Sequence, residues 1–166
     1  MKYTRLLVLV LCVVFFGVSP GMGLRLENAT TTADNLHDIE LEVQQEVNQV
    51  REIAKIPQLN WDEKLATEAR RHAKNMAVRD FFSHTDPALG DVNNRLDRSG
   101  IEWMRCAENL FLERGFSNPA KRAVQTWLDS PGHRKNMLDS KFSETGVGIA
   151  VRKDKTIVVV QEYIYR

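Results

Sequence analysis

Residues 127–138 read Trp127-Leu128-Asp129-Ser130-Pro131-Gly132-His133-Arg134-Lys135-Asn136-Met137-Leu138, and the two halves of this stretch belong to different helices. Ser130-Pro131 closes one helix and opens another. Serine is a favoured N-cap, and proline suits the first helical position because its missing N–H needs no partner there. The spacing predicts a short helix through Met137 with His133 at its third position. The amide dipoles at a helix start disfavour a protonated ring, so His133 is expected to be neutral, the form that accepts protons or binds metal. A plainer role is also open to it, a hydrogen bond that anchors the turn. Upstream, Asn118 as N-cap and Pro119 at the first helical position begin a longer helix with Ala123, Val124, Trp127 and Leu128 on its inner face.

Working outward, the C-terminal residues form two β runs, 145–151 and 156–165, separated by the polar Lys153-Asp154-Lys155, which predicts an antiparallel hairpin. Towards the N-terminus, residues 101–112 favour a strand. If that strand is extended, Cys106, Glu108, Leu110 and Leu112 share one face, and Glu108 turns towards the core. A buried carboxylate needs a partner or a proton, unless Glu108 simply caps a loop. Before it, a short helix is expected at 92–98, closed by Gly100, after a turn cluster from Thr85 to Asp91. A second long helix has Leu65, Ala69, His72/Ala73 and Met76 on its apolar face, with Asn60 and Glu63 spaced as its start signal. Ile39, Val43, Val47, Val50 and Ala54 define the first helix, with Asn35 and Asp38 as a capping-box-like start and Pro57 as its stop. Helices and strands are partly segregated, so the class is α+β with a small, mostly antiparallel sheet covered by helices.

Residues 1–23 have a different character. Lys2 and Arg5 precede the apolar run 6–18, and Gly21-Met22-Gly23 supplies small residues at a cleavage-like spacing, the pattern of a secretory signal peptide. The run is short for a membrane span, so no transmembrane segment is expected in the mature chain. Residues 24–36 form a polar N-terminal stretch and 37–166 a single domain. Asn28-Ala29-Thr30 matches a glycosylation acceptor, a pattern that is common by chance. Loss of Lys2 and Arg5 with no acid moves the formal net charge from +1 to −1, which disfavours a nucleic-acid binder. Of the two cysteines, Cys12 leaves with the signal and only Cys106 remains. No internal disulfide can form, and the apolar flanks of Cys106 suit an inert buried thiol. A monomer is expected.

Among the four histidines, His37 reads as solvated surface and His72 as a hydrogen-bonded core or boundary residue. His84, in Phe82-Ser83-His84, and His133 remain as candidates for chemistry. The chain has no His-Glu-x-x-His helix, no Gly-x-Ser-x-Gly elbow, no phosphate-binding glycine loop and no Cys-x-x-Cys pair.

Taken in order, Asn48-x-x-Arg51, Pro57-x-Leu59-x-Trp61-Asp62-x-x-Leu65-x-x-x-Ala69, Phe82-Ser83-His84, Ala107-Glu108-Asn109, residues 127–138 and Phe142-x-x-x-Gly146-Val147-Gly148 resemble the CAP superfamily. That superfamily includes the cysteine-rich secretory, antigen 5 and pathogenesis-related proteins, and the similarity is greatest to its bacterial SCP-like branch. The resemblance implies an α-β-α sandwich, secretion, and a cleft lined by histidine and glutamate. His84 and Glu108 match two of the family's four cleft residues, and His133 matches the histidine of the bacterial Ser-Pro-Gly-His motif. Where eukaryotic members place a second glutamate this chain has Ser130. Where they place a histidine it has Lys141, before Phe142-Ser143.

The leading reading is therefore an exported binding module, extracellular or periplasmic, with a cleft of His84, Glu108, His133, Ser130 and Lys141. His84, Glu108 and His133 would hold a divalent cation such as zinc, beside a small or lipidic ligand, and association with the cell surface or cell wall would follow export. The second reading is a hydrolase, with His84 or His133 as general base and Ser130 or a metal-bound water as nucleophile. In that reading Ser130 competes with its own role as a helix cap, which would occupy the hydroxyl. The third is an interaction domain that works through the loops 85–99 and 113–118.

Overall fold

The two faces of the C-terminal hairpin carry different cores, because successive side chains of a strand point to opposite sides. The computed structural model describes residues 33–115 and 117–166. The signal-peptide reading of 1–23 and the Asn28 acceptor lie outside the described residues. The elements are α1 (Ala33–Ile53), β1 (Asn60–Trp61), α2 (Glu63–Arg79), α3 (Val92–Arg98), β2 (Arg105–Arg114), α4 (Pro119–Asp129), α5 (Pro131–Met137), β3 (Glu144–Val151) and β4 (Thr156–Tyr165). The sheet order is β1-β3-β4-β2, with only β1 and β3 parallel.

Phe111, Val147, Ile149, Val159 and Tyr163 face α1, α4 and α5, where they meet Val43, Val47, Ala123, Val124, Trp127 and Met137. On the opposite face, Leu110, Val158 and Val160 meet Ala69, Ala73 and Met76 of α2, and Ile164 meets Leu65 and Leu96. The expected α+β class and helix-sheet-helix sandwich are thus observed. Trp127 is fully buried, and its indole N–H reaches Leu110 O at 2.9 Å.

Polar residues lock the corners. Arg51 is buried and donates to four carbonyls, those of Pro57 (2.8 Å), Met137 (2.8 Å), Asp139 (3.0 Å) and Phe142 (3.1 Å). It ties the end of α1 to the link between α5 and β3. One turn earlier, Asn48 donates to Leu59 O and accepts from Leu59 N–H, as a strand partner would.

Several boundaries differ from expectation. α1 starts at Ala33, inside the stretch read as a polar lead-in, so Asn35 and Asp38 lie within the helix instead of capping it. It ends at Ile53, with Lys55 in the left-handed region (φ 58°), before Pro57 is reached. Asn60 does not cap α2, because Asn60 and Trp61 are taken by β1; Asp62 is the cap and accepts from Leu65 N–H at 2.8 Å. β2 starts at Arg105, four residues later than the apolar pattern suggests. Ile101 is buried beside Leu96 of α3, which its hydrophobicity serves equally well. Ser130 stands at the N-cap of α5, but its hydroxyl makes no cap hydrogen bond; only its carbonyl is used, by Arg134 N–H at 2.8 Å.

Candidate functional site

Glu108 sits in the middle of β2 on the face covered by α2 and α3, directly opposite Glu162 of β4. It is 5 % exposed. Glu68 of α2 belongs to the same buried group: it lies three residues after Leu65 and four before His72, on the inner stripe of its helix. Arg95 of α3 stands among these carboxylates and is wholly buried. Its Nη2 donates to Glu108 Oε2 and lies 3.4 Å from Glu162 Oε1. Its Nε faces Glu68 Oε1 at 3.3 Å, an ion pair without hydrogen-bond alignment.

His84 lies on the turn between α2 and α3, with its side chain half exposed. The turn is built on Asp86, a buried carboxylate that accepts from Ala88 N–H (2.8 Å), Leu89 N–H (3.1 Å) and the Asn75 amide (2.8 Å). These hydrogen bonds hold Asp86 ionised, below the usual carboxylate range, against the desolvation that is the largest influence on it. His84 Nδ1 lies 2.7 Å from Glu108 Oε1. An ionised carboxylate can only accept, so Nδ1 carries the proton and Nε2 bears the lone pair. Among the described residues Nε2 has no hydrogen-bond partner.

His133 reaches this region from the other side of β2. Asn109 donates to His133 O at 3.1 Å, and Asn136 donates to Asn109 Oδ1 at 3.0 Å and to Glu108 O at 3.3 Å. These bonds join residues 107–109 to residues 130–138, two motifs that sequence reading takes separately. His133 titrates below its ordinary value, first because of burial and then because of repulsion from His84. The neutral ring is as expected, and burial and His84 account for it. Its Nδ1 is buried and unpartnered.

The other expected residues fall differently. Among the described residues, no group of three or more His, Cys, Asp or Glu is arranged to hold a metal ion, so His84, Glu108 and His133 are not assembled as a three-ligand set. Both oxygens of Glu108 are already engaged by His84 and Arg95. Ser130 is half-buried, and no serine or cysteine side chain among the described residues is hydrogen-bonded to a histidine. Lys141 is exposed on the link after α5, with its N–H on Asp139 Oδ1 at 2.9 Å. Cys106 is half-buried and donates to Asn93 Oδ1; burial, then nearby acids led by Glu162, pushes its thiol up to about 11, consistent with an inert thiol. His72 is fully buried, with Nε2 at 3.0 Å from Ser83 O, as a core histidine should be. His37 is more than solvated surface: its Nδ1 lies 3.2 Å from Glu40.

Arg95, Glu68 and Glu162 were missed. Glu162 carried a legible signal, an acid inside the strand run Val158-Val159-Val160-Gln161-Glu162-Tyr163-Ile164. Glu68 carried one in its place on the α2 stripe. Arg95 had none, because the arginines of a short polar helix, Arg95 and Arg98, both read as surface.

Desolvation, then repulsion from Glu108, raises Glu162 well above the usual carboxylate range, and desolvation also raises Glu68. A group with a raised folded-state pKa stabilises the native state below its unfolded value, about 4.3, and that stability is lost as pH rises through the folded value. Glu162→Gln removes the titration. Its melting temperature relative to the parent should therefore climb over the pH range that begins at the unfolded value, about 4.3, and runs up through the folded value. A constant difference across that range would show that Glu162 is ionised throughout.

The profile described as the cysteine-rich secretory protein family, CAP, matches residues 44–163. The chain belongs to the CAP family. Two uncharacterised proteins of Bacillus subtilis are similar to it: YkwD, 31% identical over 73% of this chain and 46% of its own, and YlbC, named as a membrane protein, 33% identical over 57% of this chain and 26% of its own. The chain thus spans less than half the length of these curated relatives. Among solved structures, an extracellular SCP-domain protein of Bacillus anthracis is 34% identical with a TM-score of 0.67, covering 81% of this chain and 44% of that one. A more distant CAP fold, NaASP2 crystallised with Zn2+, is 14% identical with a TM-score of 0.53, covering 81% and 82% of the two chains. Among the described residues of this CAP domain, no helix is long and apolar enough to cross a membrane.

Proposed function

We propose that this CAP domain is an exported binding module, with residues 1–23 as its signal, and that it takes a divalent cation at His84 and His133. The observation that carries the reading is the His84–Glu108–Arg95 chain. A buried carboxylate, itself held by a buried guanidinium, fixes the tautomer of a half-exposed imidazole and leaves Nε2 unpartnered. A carboxylate behind a histidine is the usual way to orient a metal-binding ring and raise its basicity. The unpartnered, buried Nδ1 of the neutral His133 is a second nitrogen that a cation would satisfy. Glu108 orients, and two imidazoles ligate. When bound, zinc would supply a Lewis-acidic centre whose remaining positions water or a small or lipidic ligand can fill. The zinc found with NaASP2 supports the choice of metal.

Isothermal titration of the protein with zinc tests this. Binding is expected in the parent, with its loss in His84→Ala and a weakening of about 10- to 100-fold in Glu108→Gln. No binding by the parent at micromolar zinc, or binding that survives His84→Ala unchanged, contradicts the proposal.

A further inference from the structure

We propose that Arg95 is a positioning residue for His84, holding both the backbone and the ring of that histidine from inside the domain; this rests on the reading of His84 as the binding residue. Its Nη1 donates to His84 O at 2.8 Å and to Gly90 O at 3.3 Å, gripping the turn at both ends. Its Nη2 donates to Glu108 Oε2, and Glu108 Oε1 in turn receives the ring Nδ1–H of His84 at 2.7 Å. One planar side chain therefore sets where the His84 backbone lies and which way its ring faces. The preceding carbonyl, Ser83 O, is held by the buried His72, so the main chain is fixed on both sides of the ring.

The task suits arginine and no other cation. A guanidinium has five N–H donors in a fixed fork and stays charged when buried, whereas a lysine ammonium is a single point charge. Lysine at this position could reach Glu108, or the two carbonyls of the turn, but not both. Once that hold is lost, Glu108 can turn away and the His84 proton can redistribute between Nδ1 and Nε2. The lone pair needed at Nε2 is then no longer fixed.

The test reads the ring directly, by 15N NMR of the histidine side chains at a pH where His84 is neutral. It compares the parent, Arg95→Lys, and the triple variant Arg95→Met/Glu68→Gln/Glu162→Gln, which keeps Glu108 but removes the two other carboxylates that face Arg95. Trp127 fluorescence reports the native fold in each. His84 should show the Nδ1–H tautomer in the parent and a shift towards Nε2–H in both variants, with zinc affinity weakened about 10-fold or more. If the triple variant does not fold, the lysine variant decides. A parent-like tautomer in a folded variant overturns the proposal and leaves Arg95 as a strut alone. The tautomer is read without zinc, so a parent that binds no zinc would remove the functional reading without deciding this one.

Discussion

Arg95→Met is expected to unfold the domain or lower its melting temperature by about 15 °C or more. The guanidinium is wholly buried and lies within ion-pair distance of three buried carboxylates, Glu68, Glu108 and Glu162. Removing one partner of a buried ion pair costs about 3–5 kcal/mol because the other charge is left unpaired. A whole domain is stable by only about 5–15 kcal/mol. Protonation of Glu162 softens the loss but does not cancel it. Glu108 is left with His84 and the more distant His72, at 3.8 Å, and Glu68 keeps Arg71 and Ser99. Far-UV circular dichroism during heating measures the effect. Adding Glu68→Gln and Glu162→Gln should recover a large part of the lost stability, since the cost is one of unpaired charge and the three positions are coupled. A fall of less than about 3 °C in the single variant would show that the carboxylates do not depend on Arg95.

Gly148→Ala should be the next most damaging change. α2 lies so close on β3 that a Cβ at Gly148 would overlap the backbone nitrogen of Arg70, and one at Gly146 would overlap that of Ala66. Neither neighbour is a flexible side-chain tip; both are helix backbone, so the helix would have to lift from the strand. Overpacking of this kind costs about 1–3 kcal/mol where side chains can yield, and more where backbone must move. A loss of about 10 °C in melting temperature is expected. Gly132→Ala is the control, since a Cβ there meets nothing within 4 Å. Equal melting temperatures for the two variants would contradict the close approach of α2 and β3.

The same pair of glycines shows what the sequence could and could not reveal. Gly146-Val147-Gly148 was legible as part of a family pattern, but the reason for it appears only when α2 is seen lying on that strand. Helix periodicity was a dependable guide wherever one face was apolar, as in α1, α2 and α4. The cap spacing of Asn60 and Glu63 misplaced the start of α2, because Asn60 was needed by a two-residue parallel strand that leaves no local pattern. The apolar run from Ile101 misplaced the start of β2, because Ile101 serves a helix contact and not a strand. Within the site, strand alternation correctly turned Glu108 inwards, whereas the lowered titration of His133 comes from burial and His84 and not from the helix start that suggested it. Arg95 could not be found this way: its role depends on three carboxylates from α2, β2 and β4, brought together only by the tertiary fold. Glu108 was placed in the cleft by the family resemblance, and its engagements with His84 and Arg95 are long-range.

The central claim is that His84 and His133 together form the binding site, with Glu108 behind the first of them. Histidine side-chain 15N NMR of the protein, recorded while zinc is added to one equivalent, tests it most directly. The account predicts that a ring nitrogen of His133 and Nε2 of His84 shift together and saturate together, while His37 and His72 stay where they were. Zinc binding that moves His37 and leaves His84 and His133 unshifted, or no shift in any ring at saturating zinc, would contradict it.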